Sequence, residues 1–322
     1  MPILMIKYLY TIKKEVKVMK IAVLGMGGIG GLVGGALAKK NDNIYFISRG
    51  ENLETIKAMG LRVNSDLLGD FSVHPELATD NVSEIGIVDI LIIATKSYSL
   101  ESACKQCLPI IDSETVIVPL LNGVLASDDI ENFLDNRGQI ADGCIYGFCS
   151  LETFGIVRHI GELCSIDFGF KNARQNEKCL ELAKMLADSG IKTSFCDNVR
   201  VPLWKKYIMM CGNSCVFSYF ECSADIVHND SKKMDYIKNV YTELYTIAKL
   251  SGVTLPPDLV ENYMETFKRL PAGAITSLYR DLKNPDKKTE FEAIIGKCYL
   301  LARAVNLDTP CLDAAYNKNK GR

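Results

Sequence analysis

The sequence has little net charge and no long uninterrupted hydrophobic run. Over 322 residues, 37 lysines and arginines nearly balance 39 aspartates and glutamates, which gives a formal net charge of −2 at pH 7. A protein that binds nucleic acid usually carries a basic excess or a basic patch. No apolar run is long enough to span a bilayer. We therefore expect small molecules or other protein surfaces as partners, and neither nucleic acid nor a membrane.

Histidine is also scarce. The only three are His74, His159 and His228, and none of them lies in a sequence context typical of catalysis. This scarcity argues against an enzyme in which a histidine transfers the proton, as in lactate-type dehydrogenases.

Cysteine pairs at zinc-binding spacing are lacking, although the chain has 12 cysteines. The only close pair is Cys104 and Cys107, and no second pair follows at the distance of a zinc ribbon. Leu100, Cys104, Cys107 and Leu108 recur at helical spacing, which is typical of a buried apolar face. We predict reduced core thiols in a cytosolic protein and no metal site.

The first 18 residues are a poor match to a signal peptide. Lysines are scattered through them, and no uninterrupted apolar core precedes a small-residue cleavage site. Two interpretations stay open for this extension: a weak amphipathic surface helix, or a translation start upstream of the real one at Met19.

From Met19 to residue 196 the sequence alternates short apolar strands with helical segments. Strands of this kind, separated by helices, predict a parallel sheet covered on both faces. Residues 139–170 predict several short strands punctuated by glycine, among them 156–160 and 164–168. The other predicted elements of this half are strands at 21–24, 44–47, 90–94, 115–119 and 191–195, and helices at 29–40 and 176–189.

After residue 197 long helical patterns dominate, so we predict an all-helical second half. The chain is thus divided into an extension (1–18), an α/β domain (19–196) and a helical domain (197–322). The polar tail at 317–322 is expected to be frayed. An apolar face of the helical half is a candidate surface for a homodimer, which periodicity cannot distinguish from an internal core. The predicted helices span 199–219, 232–251, 257–269 and 289–306.

A glycine-rich loop, GMGGIG, directly follows the first strand and opens the first helix. In that context Gly25 allows a tight turn, Gly27 lets the backbone approach a phosphate, and Gly30 lets the helix pack close to the sheet. The N–H groups at the start of the helix attract the anion. A glycine-rich turn without a ligand is the less favoured alternative. We predict that the pyrophosphate of a nicotinamide cofactor is bound by Gly25, Met26, Gly27, Gly28, Ile29 and Gly30.

The residues at the end of the second strand indicate which cofactor is bound. An enzyme that uses NAD usually has an acidic residue there for the ribose hydroxyls, whereas this chain has Ser48-Arg49-Gly50. A guanidinium can form two hydrogen bonds to a 2′-phosphate, which a carboxylate would repel. A solvated loop arginine is the alternative, but the position of Arg49 favours NADP(H).

Further motifs follow in a fixed order. They are Ala94-Thr95-Lys96, Leu121-Asn122-Gly123, FGIVRHIG at 154–161, Leu203-Trp204-Lys205-Lys206, TSLYRD at 276–281 and TEFE at 289–292. Together with the glycine loop and Arg49, they resemble the ketopantoate reductase (2-dehydropantoate 2-reductase) family along nearly the whole chain from Met19. The resemblance implies a Rossmann-type domain followed by an all-helical domain like the C-terminal domain of 6-phosphogluconate dehydrogenase.

This resemblance implies the reduction of ketopantoate by NADPH to D-pantoate, on the way to pantothenate and coenzyme A in the cytoplasm. Lys206 matches the general acid of the family, and an ammonium can protonate the oxygen on which negative charge develops. By the same match Glu290 orients that lysine and binds the substrate hydroxyl, and Ser277 holds the substrate carboxylate. Lys96 and Asn122 line the cleft beside the nicotinamide and its ribose, where Asn122 also contacts the substrate.

One position departs from the family pattern. The family commonly has asparagine one helical turn after the catalytic lysine, and this chain has Met210. Asn213 and Ser214 share the helix face of Lys206, so we expect them to offer polar groups to the substrate instead. A buried hydrogen bond contributes about 1 kcal/mol net. The missing asparagine therefore predicts either weaker binding of ketopantoate or a different 2-oxo acid as the substrate.

Three functions are therefore weighed. The first is an NADPH-dependent ketopantoate reductase, and the second is a reductase of similar build that acts on another 2-oxo or 3-hydroxy acid. The third is an NADP-binding sensor without catalysis. Lys206, Ser277 and Glu290 argue against the sensor, because it would need no general acid.

Overall fold

The structure is a computed structural model that describes residues 18–321. Residues 1–17, which carry nearly all of the predicted N-terminal extension, lie outside the described residues. In the part described, no helix has both the length and the apolar character needed to cross a membrane.

The first half of the described chain mixes strands and helices. In chain order they are β1 (Ile21–Leu24), α1 (Gly28–Ala38), β2 (Ile44–Ile47), α2 (Gly50–Met59), β3 (Leu61–Ser65), β4 (Phe71–Val73), β5 (Leu77–Thr79), β6 (Ile90–Ile93), α3 (Leu100–Cys107), β7 (Val116–Pro119), α4 (Ala126–Phe133), β8 (Gln139–Ile140), β9 (Asp142–Thr153), β10 (Ile156–Gly169), α5 (Glu177–Asp188) and β11 (Lys192–Phe195).

Six of these strands form a parallel sheet in the order β5-β2-β1-β6-β7-β8. Every residue of β1, β6 and β7 is buried, which explains their continuous apolar sequences. Along β1, Ile21 and Val23 pack with α1 on one face, whereas Ala22 and Leu24 pack with α3 on the other. The predicted parallel sheet, covered on both faces, is confirmed.

The prediction that Cys104 and Cys107 lie on a buried helix face is confirmed. Cys104 and Cys107 are fully buried on α3, and all 12 cysteines are free thiols. No group of histidine, cysteine or acidic side chains within residues 18–321 is arranged to hold a metal ion.

A second sheet, in the order β11-β10-β3-β4 with β9 paired to β10, corrects the prediction for residues 139–170. The short strands predicted there are two long antiparallel strands, β9 and β10. The register shifts between Ile160 and Ser165, and this irregularity interrupts the alternation and makes one strand resemble two. Strand β3 was not predicted: on one side it pairs with β4, which is only three residues long, and on the other with β10, where Ser65 contacts His159, 94 residues away.

The second half of the described chain is helical. No strand follows Phe195 in the part of the chain that the structure describes, and the predicted boundary at residue 197 falls between β11 and the first long helix. The division into functional domains remains a prediction. The helices are α6 (Arg200–Phe220), α7 (Ala224–His228), α8 (Ser231–Leu250), α9 (Leu259–Lys268), α10 (Ser277–Leu282), a π-helical turn (Glu292–Gly296) that continues as α11 (Lys297–Ala304), and α12 (Pro310–Asn319).

Helix α12 shows that the expected fraying of the tail is wrong as far as Asn319. That side chain is fully buried and donates hydrogen bonds to the Ala315 carbonyl and to Ser218 Oγ. Lys318 Nζ donates to the Tyr219 carbonyl at 2.6 Å. A polar sequence is ordered here because tertiary partners satisfy it, which a local composition rule does not detect.

Candidate active site

The predicted site residues of the first half lie at one edge of the parallel sheet. Strands β1, β2, β6 and β7 run in the same direction, so their carboxyl ends meet there. The glycine loop follows β1, Arg49 follows β2, Lys96 follows β6 and Asn122 follows β7. Ligands of open α/β sheets bind at this edge.

The glycine loop has the geometry that its sequence predicts. Gly25 has a φ of +93°, a conformation that residues with a Cβ rarely adopt. A Cβ on Gly30 would lie 2.1 Å from the Gly25 carbonyl oxygen, so the start of α1 approaches β1 as only glycine allows.

The start of α1 is suited to an anion. Gly27 is the N-cap residue, and no side chain caps the helix or places an acidic group in its first turn. A Cβ on Gly27 would have no described atom within 4 Å, so the loop is open on that side. The N–H groups of the first helical turn have no intrahelical acceptors. These features fit the pyrophosphate of a dinucleotide.

Arg49 lies beside this loop, at the end of β2. It is exposed and precedes the first turn of α2, which also has no side-chain cap. Within residues 18–321 no hydrogen bond or ion pair engages its guanidinium group.

Lys206 comes from the second turn of α6 and reaches across to the sheet edge. Its Nζ donates a hydrogen bond to Asn122 Oδ1 at 3.1 Å. Burial lowers the pKa of Lys206. Cys144 and Glu290 act in the opposite direction and raise it, but by less, so the pKa is lowered overall. A lysine with a lowered pKa releases its proton more readily near neutral pH. The geometry therefore suits Lys206 to proton donation.

A second contact joins the two halves through Glu290. This carboxylate is only 7% exposed, accepts a hydrogen bond from Lys96 Nζ at 2.8 Å, and lies 3.3 Å from the Ser97 backbone nitrogen, which also donates to it. Burial lowers the pKa of Lys96, but the charge of Glu290 and its hydrogen bond outweigh burial and raise the pKa overall.

These contacts differ from one expectation. We expected Glu290 to orient Lys206, but the Glu290 carboxylate accepts hydrogen bonds from Lys96 and Ser97, and Asn122 is the residue that holds Lys206. Sequence spacing could not reveal this pairing, because the four side chains come from segments far apart in the chain.

Ser277 is the first residue of α10, which packs against α6. It is exposed, and the preceding Thr276 provides the helix cap by accepting a hydrogen bond from the Tyr279 backbone. The Ser277 hydroxyl is therefore not required for capping.

The polar groups expected further along α6 are placed differently from the prediction. The Asn213 side-chain oxygen accepts a hydrogen bond from the Tyr241 hydroxyl on α8. Ser214 is fully buried, and its Oγ has no partner within the described residues. Helical spacing alone predicted a free polar face, but packing of α8 against α6 engages Asn213, and the helical core encloses Ser214. Met210 is partly buried against the same helical core.

Sequence reasoning missed Asn52, on α2. This buried side chain bonds to the Met26 carbonyl inside the glycine loop. No motif or spacing marked it, since its partners become neighbours only in the fold.

Both halves of the chain match models of one protein family. The family model described as "Ketopantoate reductase PanE/ApbA" matches residues 21–172, and its C-terminal counterpart matches residues 198–322. The uncharacterized oxidoreductase YkpB of Bacillus subtilis is 27% identical over 300 residues, covering 92% of this chain and 97% of the relative. The 2-dehydropantoate 2-reductase of Pyrococcus abyssi is 27% identical over 293 residues, covering 91% and 94%.

Solved structures share the fold over nearly the whole chain. The 2-dehydropantoate 2-reductase from Porphyromonas gingivalis has a TM-score of 0.81 at 24% identity, covering 94% of this chain and 99% of the other. D-mandelate dehydrogenase with NADH and anilino(oxo)acetate has a TM-score of 0.80 at 23% identity, covering 94% and 98%. With matches to both family models, the chain belongs to the ketopantoate reductase family of oxidoreductases, which implies a nicotinamide dinucleotide cofactor.

Proposed function

We propose that the protein reduces ketopantoate (2-dehydropantoate) to D-pantoate with NADPH, as a cytoplasmic step toward pantothenate and coenzyme A. The observation that carries the proposal is the position of Lys206. Its ammonium group is partly buried, has a lowered pKa, and is held by Asn122 at the sheet edge next to the glycine loop. Relatives named 2-dehydropantoate 2-reductase add support.

A nicotinamide dinucleotide held by the glycine loop would supply a hydride for the carbonyl carbon of the substrate. As the C–H bond forms, the electron pair of the carbonyl π bond moves to oxygen, and the Lys206 ammonium donates a proton to that oxygen. Lys206 is left neutral and regains a proton from solvent. Asn122 orients the Lys206 ammonium group. The nearby charge of Glu290 favours the protonated form of Lys206.

Two further assignments belong to the proposal. The exposed Ser277 hydroxyl and the start of α10 bind the substrate carboxylate. Arg49 binds the 2′-phosphate of NADPH, and its exposure beside the uncapped start of α2 supports this role.

A second candidate is the reduction of another 2-oxo acid, one with an apolar side chain. Met210 lies one turn after Lys206 and cannot donate a hydrogen bond, and Asn213 is engaged by Tyr241. A substrate hydroxyl placed beside Met210 would lose its hydrogen bonds to water without replacement. A solved neighbour named D-mandelate dehydrogenase, a protein of the same fold, makes an aromatic 2-oxo acid worth testing.

The test is oxidation of NADPH by the purified protein with a panel of 2-oxo acids. The panel includes ketopantoate, its analogue without the hydroxyl (3,3-dimethyl-2-oxobutanoate) and phenylglyoxylate. Ketopantoate is expected to give the highest kcat/KM. No turnover of ketopantoate with clear turnover of an apolar acid would select the second candidate. Tight NADPH binding without turnover of any acid would indicate a sensor.

A further inference from the structure

The side-chain amide of Asn52 is buried and forms hydrogen bonds with residues in three separate segments of the chain. It is 8% exposed, on the first turn of α2. Its Nδ2 donates to the Met26 carbonyl oxygen at 3.0 Å and to Ser48 Oγ at 3.1 Å. Its Oδ1 accepts a hydrogen bond from the Gly155 N–H at 2.8 Å. Both amide hydrogens and the carbonyl oxygen are thereby used.

The first two partners, Met26 and Ser48, lie in the segments that we propose bind the dinucleotide. Met26 is the second residue of the glycine loop, and Ser48 directly precedes Arg49. The hydrogen bond to the Met26 carbonyl fixes the orientation of the peptide between Met26 and Gly27, the N-cap of α1. The direction of that peptide determines where the neighbouring N–H groups point.

The third partner belongs to the turn between β9 and β10. Gly155 has a φ of +72°, and a Cβ on it would lie 2.6 Å from Thr55 Cγ2, so the turn is seated on α2. The Gly155 carbonyl accepts a hydrogen bond from the Arg62 N–H at 2.8 Å, which fixes the turn from its other side.

The hairpin formed by β9 and β10 also contacts the glycine loop directly. A Cβ on Gly28 would lie 2.7 Å from the backbone of Cys149, so β9 packs against the start of α1. The hairpin therefore contacts the dinucleotide region twice, at Gly28 and, through Asn52, at Met26. Within residues 18–321, Asn52 is the only side chain that forms hydrogen bonds with both the glycine loop and the β9–β10 turn.

We propose that Asn52 is a positioning residue for the dinucleotide, which holds the glycine loop in its anion-binding form by anchoring it to the β9–β10 turn. The inference rests on the proposed function only in requiring that a dinucleotide binds at this loop. Asn52 makes no hydrogen bond to Arg49 or to the proposed catalytic residues, and its bonds to Met26 and Gly155 fix the loop that would bind the pyrophosphate of either nucleotide, so its effect should fall on affinity for NADPH and NADH alike.

The test compares the Asn52→Ala and Asn52→Asp variants with the wild-type protein. Asp keeps the side-chain volume and can accept from Gly155, but it cannot donate to the Met26 carbonyl. We expect both variants to raise the Kd of NADPH and of NADH by about tenfold and by the same factor. Turnover at saturating NADPH should stay within about threefold. Amide hydrogen exchange without nucleotide should become faster at residues 25–30.

Asn41→Ala is the matched control. Its Nδ2 donates to the Leu37 carbonyl at 2.9 Å, at the opposite end of α1 from the loop. Loss of that bond should leave both Kd values unchanged. Thermal unfolding of each variant separates loss of fold from loss of positioning.

Three results would overturn the inference: wild-type Kd values in both Asn52 variants, wild-type affinity in Asn52→Asp alone, or unchanged hydrogen exchange in the loop. A lower Tm with unchanged Kd would likewise mean that Asn52 only stabilises the fold. If the wild-type protein bound neither nucleotide, the proposed function would fail as well. Wild-type binding that the variants retain would refute only the role of Asn52.

Discussion

The glycine loop and the proposed catalytic crevice lie at the same edge of the parallel sheet, but they are built in different ways. The loop is six consecutive residues whose backbone is proposed to bind the dinucleotide, and its shape depends on glycine at positions 25 and 30. The crevice consists of four side chains from distant segments, in the pairs Lys206–Asn122 and Lys96–Glu290. Each pair joins the α/β half to the helical half.

This difference predicts different effects of mutation. Changes in the loop alter the placement of backbone N–H groups and so affect cofactor affinity or folding. Changes in the crevice remove charges and proton donors, and so affect turnover and its pH dependence. If variants of the loop and variants of the crevice changed nucleotide affinity and turnover in the same way, the two regions would not differ as described.

The largest effect is expected for Lys206→Ala. Loss of the proton donor should lower kcat by about 10³-fold, whereas the Kd of NADPH should change by less than about twofold. Steady-state kinetics and fluorescence titration measure the two quantities. Lys205→Ala is the control, because the neighbouring Lys205 accepts a hydrogen bond from the Tyr263 hydroxyl through its backbone carbonyl, which alanine retains. A Lys206→Ala variant with near wild-type kcat would refute the general-acid role.

Arg49→Glu should have the next largest effect, confined to one cofactor. A carboxylate beside the 2′-phosphate should raise the Kd of NADPH by about 100-fold and that of NADH by less than about threefold. Titration with both nucleotides gives the ratio. Arg137→Glu makes the same change in charge at an exposed site after α4 and should leave the ratio unchanged. Equal weakening of both nucleotides would remove the argument for NADPH.

The same contrast explains what could be predicted from the sequence. The strand, the glycine loop and α1 are consecutive, so local patterns identified the cofactor loop and the parallel sheet. Strand β3 pairs with β10, and Glu290 binds Lys96 194 residues away, so no local pattern contains these contacts. Asn213 shows the error most directly: its position on α6 suggested a free amide, but Tyr241 from α8 engages it.

A smaller effect should separate two roles inside the loop. Gly27→Ala adds a methyl group to open space on the ligand side, so we expect the Kd of both nucleotides to rise by about tenfold with little change in Tm. Gly30→Ala places a methyl group against the Gly25 carbonyl and should destabilise the fold by about 1–3 kcal/mol. Thermal unfolding and nucleotide titration distinguish them. A fall in Tm for Gly27→Ala would show that this loop surface is packed.

The smallest expected effect concerns pH and the Glu290 carboxylate. Lys206 donates a proton, so kcat should fall as the pH rises through its pKa. Burial lowers that pKa, so the alkaline limb should lie below the ordinary lysine value of 10.5, and Glu290 is one of the groups that raise it. Glu290→Gln removes the charge, so the limb should move to lower pH. Glu292→Gln, at an exposed position two residues further along the chain, is the control and should not move it. A limb unchanged in Glu290→Gln would mean that this carboxylate acts on Lys96 and not on the proton donor, and the two crevice pairs would then be independent.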